Sequence, residues 1–129
     1  MATPTQKRKT EQRDAIAAVL QAADRPLKPD EVLERAQAIV PALGIATVYR
    51  NLKRMTEKGD LRAVELPGQR TVLYERAQLH HHHHFHCDDC DTVYDIDVCP
   101  GDLASMMPAG FQLQRHDLVL YGACPACAA

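Results

Sequence analysis

Apolar residues recur at the spacing of an α-helix in three stretches of the first half of the chain. We expect the first helix to start at a Thr10 cap and to end near Ala23, and the second to open at Pro29 and to end before Pro41. The third helix begins after Gly44. The predicted buried positions of these helices are Ile16, Val19, Leu20, Ala23, Val32, Leu33, Ala36, Ile39, Val48, Leu52 and Met55.

Two short runs of strand-forming residues follow, at 61–65 and 71–75, and the turn residues 67–70 between them predict a β-hairpin. Three helices followed by a hairpin form a winged helix-turn-helix, in which the third helix enters the major groove of DNA. Further along, 80–87 predicts a strand and 100–108 leaves room for a short helix only. The apolar side chains that we expect this short helix to bury are Leu103, Met106 and Met107. We therefore predict an α+β protein, with an N-terminal winged helix-turn-helix and a small C-terminal α/β domain.

The composition of the chain changes abruptly near Leu79. Residues 1–78 hold 14 Lys and Arg against 10 Asp and Glu, whereas residues 79–129 hold one Arg, seven Asp and every His and Cys of the chain. We place a domain boundary here, between a basic half that suits a polyanion and an acidic half that suits metal cations. Because the sequence has neither an apolar run of roughly 20 residues nor a signal-peptide core, we expect a cytoplasmic protein with no membrane association.

Two C-x-x-C pairs bring the first specific chemistry: Cys87 with Cys90, and Cys124 with Cys127. In a reducing compartment such pairs are metal clasps or redox couples, and their surroundings do not predict the strand-turn-helix of a thioredoxin motif. Four thiolates are the ligand set that a structural zinc ion prefers. A half of this size would also need the bound zinc and a dimer interface to be stable.

The third helix and its surroundings carry the residues that are predicted to contact DNA. Tyr49 and Arg50 suit base edges in the major groove, while Lys53 and Arg70 suit phosphates, as does Lys9 in a basic N-terminal arm. An alternative is that the charged positions form only a solvated helix face. The predicted DNA-binding residues are Lys9, Thr47, Tyr49, Arg50, Asn51, Lys53 and Arg70.

Several motifs together resemble one known family. They are the run 44–52 (GIATVYRNL), the His-rich run that leads into Cys87, the segments around Gly110-Phe111, His116 and 120–122, and the second C-x-x-C pair. In order and spacing, from about Thr10 to Cys127, they are similar to the ferric uptake regulator superfamily. The resemblance implies a homodimeric, metal-dependent repressor of metal-uptake or stress genes, not an enzyme. It also implies binding to AT-rich inverted repeats of double-stranded DNA and a C-terminal dimerisation domain.

The resemblance places an interdomain metal-sensing site on Glu75, His82 and His84. Relatives usually supply a further His at the position of Pro26, and this chain has no His before His80. Another group must then complete the site: His80 on the same strand face, a carboxylate or water. Histidines with one carboxylate suit zinc, nickel, cobalt or ferrous iron.

A second site of the family would fall on the opposite strand face. Its predicted ligands are His81, His83, His116 and either Cys99 or Asp102. Nitrogen and thiolate ligands favour zinc over iron or manganese, so we favour a zinc-sensing member, a zinc uptake regulator, with zinc as the second, regulatory metal. Alternatives within the family are iron, nickel and peroxide sensors, with iron, manganese or nickel as the regulatory metal. A lone Cys99 as a small buried residue, and His116 as an ordinary sheet residue, also remain open.

Two other protein classes use similar residues. A metallohydrolase would also gather histidines and carboxylates, but the sequence lacks a motif for a general base beside an open metal position. A metal store or chaperone could use the His run without contacting DNA.

Overall fold

The computed structural model describes residues 3–128, and it confirms the predicted α+β fold class. The chain divides into two compact units with a boundary between Gln78 and Leu79. Within the described residues, no helix combines the length and the apolar character needed to cross a membrane.

The N-terminal unit consists of three helices and a two-stranded sheet. The elements are α1 (Pro4–Ala22), α2 (Pro29–Gln37), α3 (Ile45–Glu57), β1 (Leu61–Val64) and β2 (Leu73–Arg76). Pro29 lies in the first turn of α2, and α3 follows Gly44, both as predicted. The strands pair antiparallel with Leu61 opposite Arg76. This element order is that of a winged helix-turn-helix.

The first helix starts earlier than predicted. Thr3, not Thr10, is its N-cap: the Thr3 hydroxyl accepts a hydrogen bond from the Gln6 amide at 3.1 Å, and the Gln6 side chain accepts one from the Thr3 amide at 2.9 Å. This reciprocal capping box, with Pro4 in the first turn, places residues 7–9 inside the helix. The prediction that Lys9 belongs to a separate N-terminal arm is therefore wrong.

The core of the N-terminal unit lies between the three helices. Ile16, Val32, Val48 and Leu52 are fully buried, at 0% exposure, as the helical periodicity predicts. Ile39 is 58% exposed, contrary to the prediction, because α2 ends at Gln37 and the chain leaves the helical direction before this residue. The interdigitated apolar faces orient α3 so that its opposite face meets solvent.

The C-terminal unit is a three-stranded sheet with two short helical segments. The elements are β3 (His83–Cys87), β4 (Val93–Ile96), a 3-10 turn (Ala104–Met106), β5 (Val119–Gly122) and α4 (Pro125–Ala128). The sheet order is β4-β3-β5, with β3 antiparallel to β4 and parallel to β5. The predicted strand thus begins at His83 rather than at His80. Met106, expected to be buried, is 72% exposed because a single 3-10 turn offers too little helix to form a buried face.

Candidate metal centres and nucleic-acid interface

The four cysteines of the two C-x-x-C pairs come together at one end of the C-terminal sheet. We call them the cysteine clasp: Cys87, Cys90, Cys124 and Cys127, with sulfur atoms that all lie within 4.8 Å of one another. The Cys90 and Cys124 sulfurs are 3.8 Å apart. Zinc–sulfur bonds of about 2.3 Å in a tetrahedron give sulfur separations of about 3.8 Å, so this ligand set fits a structural zinc ion.

The thiols of the clasp differ in their affinity for protons. The backbone amides of Cys90 and Cys124 point at the Cys87 sulfur, the latter from 3.3 Å, and lower the pKa of Cys87 to about 6. Hydrogen bonds with the sulfurs of Cys124 and Cys87 raise the pKa of Cys127 to about 12. Without a cation the Cys127 thiol therefore keeps its proton at neutral pH, and a bound divalent metal would displace that proton.

A second group lies on one face of the C-terminal sheet. We call it the sensor cluster: His82, His84 and Asp95. The Nε2 atoms of His82 and His84 lie 3.6 and 3.5 Å from Oδ1 of Asp95. Two ligand atoms bound tetrahedrally at about 2.1 Å from one ion are separated by about 3.4 Å, so the spacing fits a divalent metal.

A local hydrogen bond fixes which ring nitrogen of His82 is available to a metal. Nδ1 of His82 donates to the backbone carbonyl of His80 at 2.6 Å, which leaves Nε2 as the metal-binding atom of His82. His80 was predicted to contribute its own imidazole, but that ring is not part of the cluster. The chain bends at His81, so the alternation of faces along the strand does not extend back to His80.

Asp95 is the member of the sensor cluster that the sequence analysis missed. It lies directly opposite His84 in the β3–β4 pair. A hairpin register centred on the Cys87–Cys90 turn was the signal that would have revealed it. A carboxylate was one of the three predicted candidates for the group that completes this site, and Asp95 carries one.

Glu75, the remaining predicted sensor ligand, lies on β2 of the N-terminal unit. Its carboxylate is buried and accepts hydrogen bonds from Nη2 and Nε of Arg62 at 2.6 and 3.2 Å. Arg62 is its cross-strand partner on β1. Ligation of a metal by Glu75 stays a prediction.

A third group lies on the other side of the His-rich segment. We call it the thiol–histidine cluster: His81, His83, Cys99 and His116. Nε2 of His116 is 3.2 Å from Nε2 of His81 and 3.2 Å from the Cys99 sulfur. Burial, followed by the neighbouring His81 and His116, lowers the pKa of His83, which favours the neutral imidazole that binds metals.

The structure places the alternatives for this third group in different surroundings. Cys99 is exposed and beside His116, so it is not a buried packing residue. His116 precedes β5 and is not a sheet residue. Asp102, the alternative to Cys99, is exposed and is not part of the cluster. Three nitrogens and one sulfur are a ligand set that zinc accepts readily.

The helix α3 presents polar and cationic residues on its solvent face. Tyr49 is 53% exposed, and Arg50 and Lys53 are exposed as well. Arg50 donates to the Thr47 hydroxyl at 3.0 Å, while the Asn51 amide donates to the Thr47 carbonyl at 2.9 Å. These contacts orient the arginine and tie Asn51 to its own helix.

A cleft of about 420 Å³ separates the N-terminal part of α1 from α3. We call it the basic cleft, and its cationic lining residues are Arg8, Lys9, Arg13, Arg50 and Arg54. The contribution of α1 was not predicted from the sequence, because the predicted helix began at Thr10 and left Arg8 and Lys9 outside it. Arg70, the predicted wing residue, is exposed in the β1–β2 turn and is not among the lining residues.

Comparisons with known proteins agree with this arrangement. The model of the ferric uptake regulator family matches residues 5–121. The ferric uptake regulation protein of Staphylococcus aureus is 32% identical over 87 residues, which are 67% of this chain and 63% of that protein. The chain thus spans 63% of the length of the first curated relatives that it matches.

Solved structures show the same fold. The ferric uptake regulator from Francisella tularensis with iron has a TM-score of 0.71 and 28% identity, covering 92% of each chain. A zinc-bound manganese uptake regulator has a TM-score of 0.77 and 26% identity, covering 92% of this chain and 94% of the other. From the family match over most of its length and from these shared structures, the chain belongs to the ferric uptake regulator family.

Proposed function

We propose that the protein is a metal-responsive, DNA-binding transcriptional repressor of metal-uptake genes. The observation that supports this most directly is the combination of a basic recognition surface in one unit with three groups of metal ligands in the other. The basic cleft would receive phosphates, while Tyr49 and Arg50 would read base edges. The DNA partner would be an AT-rich inverted repeat, bound by a homodimer.

The surface of the C-terminal unit supports the homodimer. Large apolar side chains are exposed here, with Val98 at 74% and Phe111 at 67% exposure. Leu120 and Tyr121 are exposed on β5, which lies at an edge of the sheet. An exposed apolar surface beside an unpaired sheet edge is unusual in a monomer and favours association of two copies.

We propose that the sensor cluster, together with Glu75, controls the DNA-binding state. Bound there, a divalent cation would supply the positive charge that holds these ligands together. Glu75 belongs to β2, the last strand of the N-terminal unit, and His84 and Asp95 belong to the C-terminal sheet. Shared ligation would favour the domain orientation in which two α3 helices fit successive major-groove faces, and would do so by a shift in population.

Zinc is the metal that we propose for both the cysteine clasp and the sensor cluster. The support is the thiol–histidine cluster, whose nitrogen and sulfur atoms favour zinc over iron or manganese. The sensor cluster itself, with two nitrogens and carboxylate oxygen, also suits ferrous iron, nickel or manganese. Iron, nickel and peroxide sensing are therefore the competing proposals.

The test is a titration of protein whose clasp is loaded with zinc, using buffered zinc, ferrous iron, manganese and nickel. Fluorescence anisotropy of labelled DNA from the protein's own promoter reports binding. We expect zinc to activate binding at the lowest free concentration. Activation by iron or manganese instead would assign the protein to the iron- or peroxide-sensing members of the family. Failure to bind DNA with any metal would favour a metal store.

Within the DNA interface, Arg50→Ala and Lys53→Ala should have different effects. Loss of Arg50 should weaken binding to the cognate site by about 1–3 kcal/mol and relax sequence preference, since its guanidinium suits a base edge. Loss of Lys53 should weaken all sequences alike and reduce the salt slope by about 1. Anisotropy at several salt concentrations on cognate and scrambled DNA measures both. The matched control is Arg35→Ala, which removes an exposed arginine of α2. If Arg50→Ala lowers the affinity for cognate and scrambled DNA equally, Arg50 does not read bases.

The variant Cys99→Ser tests the thiol–histidine cluster. Replacing the soft sulfur by a hydroxyl should weaken zinc binding there by roughly tenfold or more, because the neutral hydroxyl is a poor zinc ligand. Competition with a chromophoric chelator measures the affinity of each zinc equivalent. Asp102→Ala should leave every equivalent unchanged. If Asp102→Ala weakens this site and Cys99→Ser does not, the ligand assignment is wrong.

A further inference from the structure

The turn between β3 and β4 contains an unusual backbone conformation. Asp91 has φ of 61°, and no other non-glycine residue among those described has a positive φ. This left-handed region is unfavourable for L-residues, although Asp tolerates it better than most because its short carboxylate can bond locally. Asp91 follows Cys90 of the cysteine clasp directly.

The side chain of Asp91 meets a buried histidine. Oδ1 of Asp91 lies 2.5 Å from Nε2 of His86, a residue with 5% exposure in the central strand β3. The other ring nitrogen of His86 is 3.5 Å from Oδ1 of Asp88. On β5, the neighbouring strand, the ring of Tyr121 packs edge-on against the imidazole with centroids 5.7 Å apart.

His86 and Asp91 are both unusual residue types for the positions that they occupy. A buried site in a central strand favours an apolar β-branched residue, and a buried imidazole requires hydrogen-bond partners. A position at φ of 61° favours glycine. The bond between His86 and Asp91 compensates both departures, which is the pattern expected where local preference gives way to a site requirement.

Two backbone hydrogen bonds close the same turn, in addition to the bond between His86 and Asp91. The amide of Asp91 donates to the carbonyl of Cys87 at 2.9 Å, and the amide of Cys87 donates to the carbonyl of Thr92 at 3.0 Å. The side-chain bond is the link that anchors this turn to the buried side of β3. Cys90 lies between its two anchored ends.

We propose that His86 and Asp91 are positioning residues of the cysteine clasp. Their bond holds the 88–91 turn so that the Cys90 sulfur faces the other three sulfurs before a metal binds, and it slows metal loss afterwards. This inference rests on the proposed function only in that the clasp binds metal; it is independent of DNA binding. Partners that orient metal ligands typically contribute about 10- to 100-fold in metal affinity.

The test measures zinc release from the full-length, zinc-loaded protein to a chromophoric chelator. We expect Asp91→Gly to release clasp zinc at least about tenfold faster, even though glycine suits the backbone conformation. Asn keeps an acceptor oxygen and tolerates the left-handed region. Asp91→Asn should therefore release clasp zinc at a rate close to that of the unaltered protein. Asp89→Asn, which removes the charge of an exposed residue in the same turn, should release at the unaltered rate.

A double-mutant cycle separates positioning from a general loss of stability. Because His86→Phe and Asp91→Gly break the same bond, the double variant should release zinc no faster than the faster single variant. Cobalt-loaded single variants should keep the thiolate-to-cobalt charge-transfer band at saturation. Additive effects, or an unaltered release rate in Asp91→Gly, would overturn the proposal. Absence of that band in the unaltered protein would overturn the clasp itself, so the two failures are distinguishable.

Discussion

Replacing Cys87 by serine is expected to release the clasp metal, unfold the C-terminal unit and abolish dimerisation. Cys87 is fully buried at the end of β3, and the buried apolar residues of this unit, among those described, are only Val93, Cys87 and Cys124. So small a core supplies little free energy of folding. Zinc binding in small zinc peptides is worth about 10–16 kcal/mol, so the clasp should dominate the stability of this unit.

Analytical ultracentrifugation with a zinc assay measures the outcome of Cys87→Ser. The expected species is a monomer that has lost the clasp zinc while α1–α3 retain most of the helical circular dichroism. Cys99→Ser is the matched control, because it also removes one thiol but lies outside the clasp: it should stay a dimer and lose at most the zinc of the thiol–histidine cluster. A dimer of normal mass with full zinc content in Cys87→Ser would show that the clasp assignment is wrong.

Removal of a sensor-cluster ligand should abolish the dependence of DNA affinity on bound metal. In His84→Ala and in Asp95→Ala, saturating metal should no longer raise DNA affinity, a loss of about 5- to 150-fold for a typical coupling of 1–3 kcal/mol. Asp97→Ala removes an exposed carboxylate two residues beyond Asp95 and should retain the full response. Anisotropy with and without metal, on the promoter DNA of the protein, measures the coupling.

Reciprocity provides an independent check on the same coupling. If metal raises DNA affinity, cognate DNA must raise metal affinity by the same factor. A fluorescent chelator competition, run with and without DNA, measures this. Equal metal affinity in the two conditions would contradict the proposed control by the sensor cluster, whatever the metal.

The sequence predicted the elements whose signals are local and strong. Helix α3 and its buried stripe follow from periodicity, and the C-x-x-C spacing alone indicates a four-thiolate site. The cap of α1 was placed seven residues too late, at Thr10 rather than Thr3, because the cap at Thr3 is paired with Gln6 and is not followed directly by an apolar run. As a result, the cationic contribution of α1 to the basic cleft was not anticipated.

The parts of the metal sites that could not be predicted depend on strand register and strand ends. Asp95 joins the sensor cluster because β4 pairs with β3 in one particular register, which spacing from Cys87 does not specify. His80 lies outside the cluster because the chain bends at His81, which strand periodicity does not reveal. The choice of Cys99 over Asp102 depends on the path of a segment without regular structure before the 3-10 turn, where periodicity carries no information.

Residues 81–87 contribute to all three groups of metal ligands, and this sharing imposes an order of assembly. The clasp fixes the C-terminal end of β3 through Cys87, whereas His81 and His82 precede the strand and lack its ladder of hydrogen bonds. With metal bound, the clasp would be the more stable end of this segment, and the histidine groups would be expected to gain and lose metal more readily. The C-terminal end of the segment would then keep its metal while the N-terminal end exchanges metal with the solvent, and the fold of the unit would not depend on that exchange.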